Sequence, residues 1–197
     1  MERSMKKNAV LMVAKTLLSL IIPLVTFPYI SRVLQVNAIG QYNFANSIVS
    51  YFLLISGLGI STYAIREGAK VRENREKISK FASEMYLLNW ISTGVSYVFL
   101  ILALFLVTKL RNYNTLVLIL SIQIIFTTFG RAWIYNVFED FSFMTIVQVL
   151  FQFISIVALF LFVHAPDDLN VYAFINVVSA TGSNILYGWH AKCSMDL

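Results

Sequence analysis

The chain has 197 residues, 58% of them hydrophobic and only 13% charged, with a mean hydropathy of +0.74. Soluble globular domains do not have this composition; it points to a chain immersed in lipid. The formal net charge of +5 does not describe a nucleic-acid groove, because the basic residues are dispersed among apolar stretches, and the single cysteine, Cys193, excludes an intrachain disulfide.

The chain opens with MERSMKK, which is basic like the start of a signal peptide. The segment that follows is too long for one, contains Lys15 and lacks a small-residue cleavage pattern, so it reads as an uncleaved first span over residues 9–34. Pro23 and Pro28 are expected to bend it. Residues 44–65 then form an apolar run without a formal charge. A run of that length crosses a hydrocarbon core of ~30 Å as one helix. One side of it is small and hydrogen-bonding, with Asn43, Asn46, Ser47, Ser50, Gly57 and Ser61 near helical spacing. It ends abruptly in a charged segment that sets Arg66, Lys70, Arg72, Arg75, Lys77 and Lys80 against Glu67, Glu73 and Glu76. Further spans follow at residues 81–107, 115–137, 143–163 and 171–188. The connections QVNAIG, KLRNYN, FEDF and HAPDDLN leave no room for a soluble domain. The expected fold is therefore all-α, a polytopic membrane bundle of about six transmembrane helices.

Orientation follows from the basic residues. With the N-terminus cytoplasmic, ten of them lie on the inner side, and only Arg32, Lys109 and Arg111 lie on the outer side. Lys15 and Arg131 remain within spans. Asp167 and Asp168 then fall in an outer turn, where a carboxylate pair could bind a cation, although Pro-Asp-Asp is more often a solvated turn.

Every span carries polar residues at helical spacing: Lys15, Ser19 and Thr26 in the first; Asn89, Ser92, Thr93 and Ser96 in the third; Gln123, Thr127 and Arg131 in the fourth; Gln148, Gln152 and Ser155 in the fifth; Asn176, Ser179 and Ser183 in the sixth. Small hydroxyl and amide groups of this kind serve as interhelical glue, or they line a water-filled cavity. The charges favour the cavity, since an Arg or Lys in lipid costs ~2.5 kcal/mol or more. Lys15 and Arg131 each lie about two turns in from the inner surface. Arg66 closes the second span there and Glu84 opens the third. These residues could form a cationic pocket for an anionic headgroup such as a phosphate, or Glu84 could pair with Lys15 or Arg131 in a purely structural bridge. Arg32, at the outer end of the first span, provides a second anion contact or an interfacial anchor. His164 and His190 stand apart at span ends, and no nucleophile motif or metal-ligand spacing appears. Neither an enzyme, nor a cofactor, nor a metal site is expected.

The stretch FPYISRVLQVNAIGQYNFANSIVSYFLLISGLGISTYAIREGAKVR resembles the N-terminal region of polysaccharide flippases of the Wzx type, exporters of O-antigen and capsule repeat units in the multidrug/oligosaccharidyl-lipid/polysaccharide superfamily. The likeness rests on Phe27-Pro28-Tyr29 before Ser31-Arg32, on Gly40, on Phe44-Ala45-Asn46-Ser47-Ile48, on Tyr51-Phe52, on Leu58-Gly59-Ile60 and on Arg66-Glu67. Trp133-Ile134-Tyr135-Asn136 followed by Glu139-Asp140-Phe141 is similar to a second family pattern, with Asn136 and Val137 where Gln and Gly are usual. The resemblance implies two lobes of about six helices that open alternately to either side of the membrane. It also implies a substrate, an undecaprenyl-pyrophosphate-linked oligosaccharide moved across the bacterial cytoplasmic membrane. Carried over to this chain, the cationic cavity would comprise Lys15, Arg131 and Arg66, with Glu84 as a proton or cation partner. Asn43, Asn46, Asn89 and Gln123 would bond sugar hydroxyls or simply pack helices. The family's second lobe is not in this sequence, which stops at Leu197. The expectation is an N-terminal lobe that does not flip substrate alone unless two copies associate. The alternatives are a multidrug exporter of the same superfamily, which should carry intramembrane acids, and a membrane fragment that transports nothing.

Overall fold

The computed structural model describes the backbone of residues 2–194 and the side chains of residues 13, 16, 17 and 19–191. Among these residues the fold is all-α, a membrane helix bundle with no strand. Helix α1 (Glu2–Val33) is followed by α2 (Gln35–Gly57) and α3 (Ile60–Val71), α4 (Arg75–Leu106), the single turn α5 (Thr108–Arg111), α6 (Asn114–Gly130) and α7 (Ala132–Val137), α8 (Phe141–Phe162), and α9 (Leu169–Thr181) with α10 (Ser183–Ser194). Three stretches, Gln35–Val71, Arg75–Leu106 and Phe141–Phe162, are long and apolar enough to cross a membrane, and no more than 22% of the apolar window in any of them is buried. Leu24, Leu54, Leu106 and Phe153 are exposed, while Ala45, Ala64, Ala82, Ser96, Thr128 and Ala173 are buried. Large apolar side chains outside and small or hydroxylated ones between helices make sense only where the surroundings are as apolar as leucine.

The chain reverses direction at two surfaces. At one, which we call the basic end, the α3–α4 and α7–α8 turns meet. Arg72 Nη1 donates to Glu139 Oε1 at 3.0 Å and to the Val137 carbonyl at 3.4 Å. Asn74 Oδ1 caps α4 by accepting from the Lys77 N–H, and Asp140 Oδ1 accepts from the Phe143 N–H at the start of α8. At the opposite end the α1–α2, α5–α6 and α8–α9 connections come together. Asp168 accepts from the His164 and Ala165 N–H groups at 2.8 and 2.9 Å, and these bonds hold its carboxyl below the usual carboxylate range. Asp168 thus closes the α8–α9 turn onto its own backbone.

Three spans are not the single helices that hydropathy predicts, the sixth (171–188) being divided at Gly182 between α9 and α10. The run 44–65 breaks at Leu58 and Gly59, which take φ of +35° and +71°. Hydropathy cannot register this, because a left-handed pair is as apolar as the helix it interrupts. The space beside Gly59 is open, so glycine is there for its backbone freedom and not for packing. Gly59→Ala is expected to lower stability by about 1 kcal/mol, from the left-handed penalty alone; a thermal shift of the detergent-solubilised protein would read it. The fourth span, 115–137, breaks in the same way at Arg131, with φ +46°. The expected Gln123–Thr127–Arg131 stripe therefore ends at Thr127 as a helical face. Helix α1, by contrast, continues through Pro23 and Pro28. Each proline lacks an N–H and so removes one hydrogen bond of the helix ladder.

Three apolar clusters hold the bundle. The largest, near the basic end, is built on α7: Trp133, Ile134, Tyr135 and Val137 are all buried against Ala64, Ile78, Ala82, Met85, Val147 and Tyr187. Tyr135 Oη donates to the Tyr187 carbonyl at 2.8 Å and lies 3.0 Å from His190 Nδ1. The family-like Trp-Ile-Tyr-Asn segment is thus a buried wedge that joins α7 to α10.

Candidate functional site

The residues expected to form a cationic cavity take different positions. Lys15 lies outside the described residues. Arg66 is exposed and bonds the neighbouring Glu67 at 3.1 Å, and Glu67 also receives Lys70 at 2.9 Å. Arg32 is exposed near the end of α1. Arg131 is half-buried with its guanidinium 3.7 Å from the centre of the Tyr86 ring on α4, a cation–π contact that partly compensates its charge. Glu84, half a turn before Tyr86, is exposed and makes no ion pair among the described residues.

The intramembrane hydroxyl groups divide into two sets. Most bond within the bundle. Ser47, Ser50, Thr127 and Thr181 each donate to the carbonyl four residues back in their own helix. Thr93 and Thr128 meet across α4 and α6 at 2.6 Å, and Thr128 also lies 3.0 Å from the Ile124 carbonyl, which makes Thr93 the donor of the pair. Ser96 donates to the Phe52 carbonyl and Tyr97 to that of Ser121. For these residues, interhelical glue is a sufficient account. Asn43 is exposed, and Asn46, Asn89 and Gln123 are half-buried.

The second set converges. Between α1, α8 and α9 lies a cavity of about 300 Å³. Gln148, Gln152 and Ser155 line it from α8, Asn176 and Ser179 from α9, and Ser19 and Thr26 from α1. Gln152 Oε1 and Ser155 Oγ are buried and have no hydrogen-bond partner. Pro23 also lines the space, and because it has no N–H the carbonyl of Ser19 loses its helical donor. Asn176 commits its Nδ2 to the Tyr172 carbonyl, which leaves its amide oxygen as an acceptor. None of Arg32, Arg66, Arg131 and Glu84 lines this cavity, and among the described residues neither does any carboxylate.

In an apolar medium such groups are costly. A buried polar atom without a partner costs about 1–3 kcal/mol, so two of them at mid-span call for water or a hydroxylated guest. The volume suits roughly ten waters at ~30 Å³ each, or one sugar ring with its hydration. Chemically the cavity is neutral, rich in acceptors and flanked by aliphatic carbon. It can hold hydroxyl groups, and none of the described residues lining it could neutralise a phosphate.

The sequence profile of the polysaccharide biosynthesis protein family matches residues 5–193. The chain is also 20% identical, over 201 aligned positions, to a protein of Escherichia coli strain K12 that carries the name of an O-antigen transporter. That alignment covers 98% of this chain and 48% of the relative, so the chain spans about half the relative's length. No solved structure matches the chain.

Proposed function

The chain belongs to the polysaccharide biosynthesis protein family, and on that premise we propose that it helps carry an undecaprenyl-pyrophosphate-linked oligosaccharide across the bacterial cytoplasmic membrane, for O-antigen or capsule assembly. The observation that carries this reading is the uncharged, acceptor-rich cavity at mid-span, in a bundle whose outer surface is apolar. A hydroxylated glycan must exchange its water for protein hydrogen bonds wherever it crosses a bilayer, and that cavity offers them. The basic end faces the cytoplasm in this reading, as the bias of Lys and Arg requires.

The residues then divide the cargo between them. Lys15, Arg66 and Arg131 act at the basic end on the pyrophosphate, with Glu84 as the proton or cation partner. Asn43, Asn46, Asn89 and Gln123, together with the α8 glutamines, act on sugar hydroxyls, and Arg32 is an anion contact at the far end. The six-span chain is one lobe of the pathway, and a second lobe or a second copy completes it. Transport is movement without bond-making, so no enzymatic step is invoked. An exporter of cationic drugs is disfavoured because none of the described residues lining the cavity is a carboxylate.

The test is binding of an undecaprenyl-pyrophosphate-linked oligosaccharide to the chain in lipid nanodiscs, followed by native mass spectrometry. Saturable binding that undecaprenyl phosphate without sugar does not displace supports the reading. Equal affinity for the sugar-free lipid contradicts it.

A further inference from the structure

The opposite end of the bundle contains a second cavity, larger than the one at mid-span. It is an open bowl of about 440 Å³ where the three connections at that end meet. The α1–α2 junction contributes Gln35, Asn37 and Gln41. The α5–α6 connection and the first turn of α6 contribute Asn112, Tyr113 and Thr115, and the α8–α9 turn contributes Asp167 and Asn170. A smaller cavity of about 290 Å³ adjoins it through Asn112 and Tyr113 and adds Lys109 and Phe44, whose ring lies 5.2 Å from that of Tyr113. Among the described residues no basic side chain lines the bowl itself.

Its side chains are uncommitted. Among the described residues, the amides of Gln35, Asn37, Gln41, Asn112 and Asn170 bond to no other protein group, and Asp167 has neither a hydrogen bond nor an ion pair. The contrast with Asp168, whose carboxylate is occupied by two backbone N–H groups, separates two adjacent acids by role. Gln35 is held at φ +63°, a conformation a non-glycine residue adopts only under constraint, so the tight α1–α2 junction places an amide on this rim against its backbone preference.

From this set of groups we infer that the bowl is a carbohydrate-binding vestibule, selective for neutral or amino sugars. Each amide offers a donor and an acceptor side by side, the pattern that vicinal hydroxyls require. Asp167 accepts strong hydrogen bonds from hydroxyls or from a sugar ammonium. Tyr113 supplies a flat apolar surface for the C–H face of a pyranose. Within the bowl a phosphate or an acidic sugar would meet Asp167, while Lys109 lines the adjoining cavity and not the bowl. An acyl chain would leave the amides without partners. The inference rests on the function proposed above, and it places the sugar at the end where the cargo would leave.

The experiment is a binding titration of detergent-solubilised chain on an array of free bacterial oligosaccharides carrying neutral, amino and acidic sugars, with no lipid attached. Binding to a neutral or amino-sugar glycan, weakened about tenfold by Asp167→Asn and by Asn112→Ala, is expected. Gly94→Ala, in α4 with open space beside it, should leave this affinity unchanged. Absence of free-glycan binding, preference for acidic glycans, or affinity indifferent to both bowl substitutions would overturn it. Calcium alone is titrated in parallel: binding of calcium but of no glycan, abolished by Asp167→Asn, would also overturn it. The two readings fail separately. Lipid-linked oligosaccharide bound in nanodiscs with an indifferent bowl removes only the vestibule, whereas glycan binding at the bowl with no preference for the sugar-bearing lipid removes only the carrier.

Discussion

Gly188→Leu and Gly130→Leu should each deprive α10 of its seat on α6 and yield little or no folded protein. A Cβ added at Gly130 would come within 2.4 Å of the Asn184 Cβ, and one at Gly188 within 2.6 Å of the Phe129 carbonyl oxygen. The two glycines are reciprocal, each opening its helix to a residue of the other. Neither obstacle is the far end of a flexible chain: one is a Cβ next to the backbone, and the other is the backbone itself. Relief requires the helices to separate, and overpacking of this kind costs about 1–3 kcal/mol even for a single methyl group. Gly40 and Gly94 provide the contrast. Both are in helices with nothing within 4 Å of the added carbon, so Gly40→Ala and Gly94→Ala should be neutral or stabilise by up to ~1 kcal/mol. Fluorescence-detected size-exclusion chromatography after a heating series would separate the two classes. Similar behaviour of all four variants would mean that the α6–α10 contact does not hold the bundle.

Replacing Gln152 with Leu and Ser155 with Ala together should leave the fold intact, and somewhat more stable, while lowering affinity for the lipid-linked oligosaccharide by tenfold or more. The two substitutions remove two buried polar atoms that no protein group satisfies, and each such atom costs about 1–3 kcal/mol when left bare. A purely structural polar pair behaves in the opposite way, because its removal loosens the packing. The signs of the two effects therefore distinguish a site from a scaffold. Reduced stability with unchanged affinity would place Gln152 and Ser155 in the packing and not in the pathway.

Much of this was legible in the sequence. The six apolar runs and the charged segment after Ile65 give the helices and their ends, and every polar residue lining the mid-span cavity lies on a stripe that the 3.6-residue period picks out. What periodicity could not supply was adjacency. Ser19 and Gln152 stand far apart in the chain, and only the packing of α1 against α8, and of α8 against α9, joins their stripes into one cavity. The helix breaks were also hidden. Leu58 and Arg131 adopt left-handed geometry within runs whose hydropathy does not change, and Arg131 is turned onto the Tyr86 ring by that break. The bowl was missed for a different reason. Its polar residues lie at the starts of α2, α6 and α9 and in the turns before them, too few in each for a period to show, and an Asn or Gln at a helix end looks like any solvated residue until those ends are brought together.

Charge had a smaller part in the assembly than the sequence led one to expect. Arg66 and Arg72, both exposed, are paired at the basic end with Glu67 and Glu139, and surface pairs of this kind contribute little to stability. The polar interior is carried instead by amides and hydroxyls.

The most direct measurement is thiol labelling at Ser179→Cys, in a background where the sole native cysteine is removed by Cys193→Ser, using a membrane-impermeant maleimide on the chain in nanodiscs. The account predicts that the mid-span thiol is modified, that added undecaprenyl-pyrophosphate-linked oligosaccharide protects it, and that a cysteine at the exposed apolar position Phe153 is not modified at all. A Ser179→Cys thiol as inert as the one at Phe153 would show a dry interior and contradict the account.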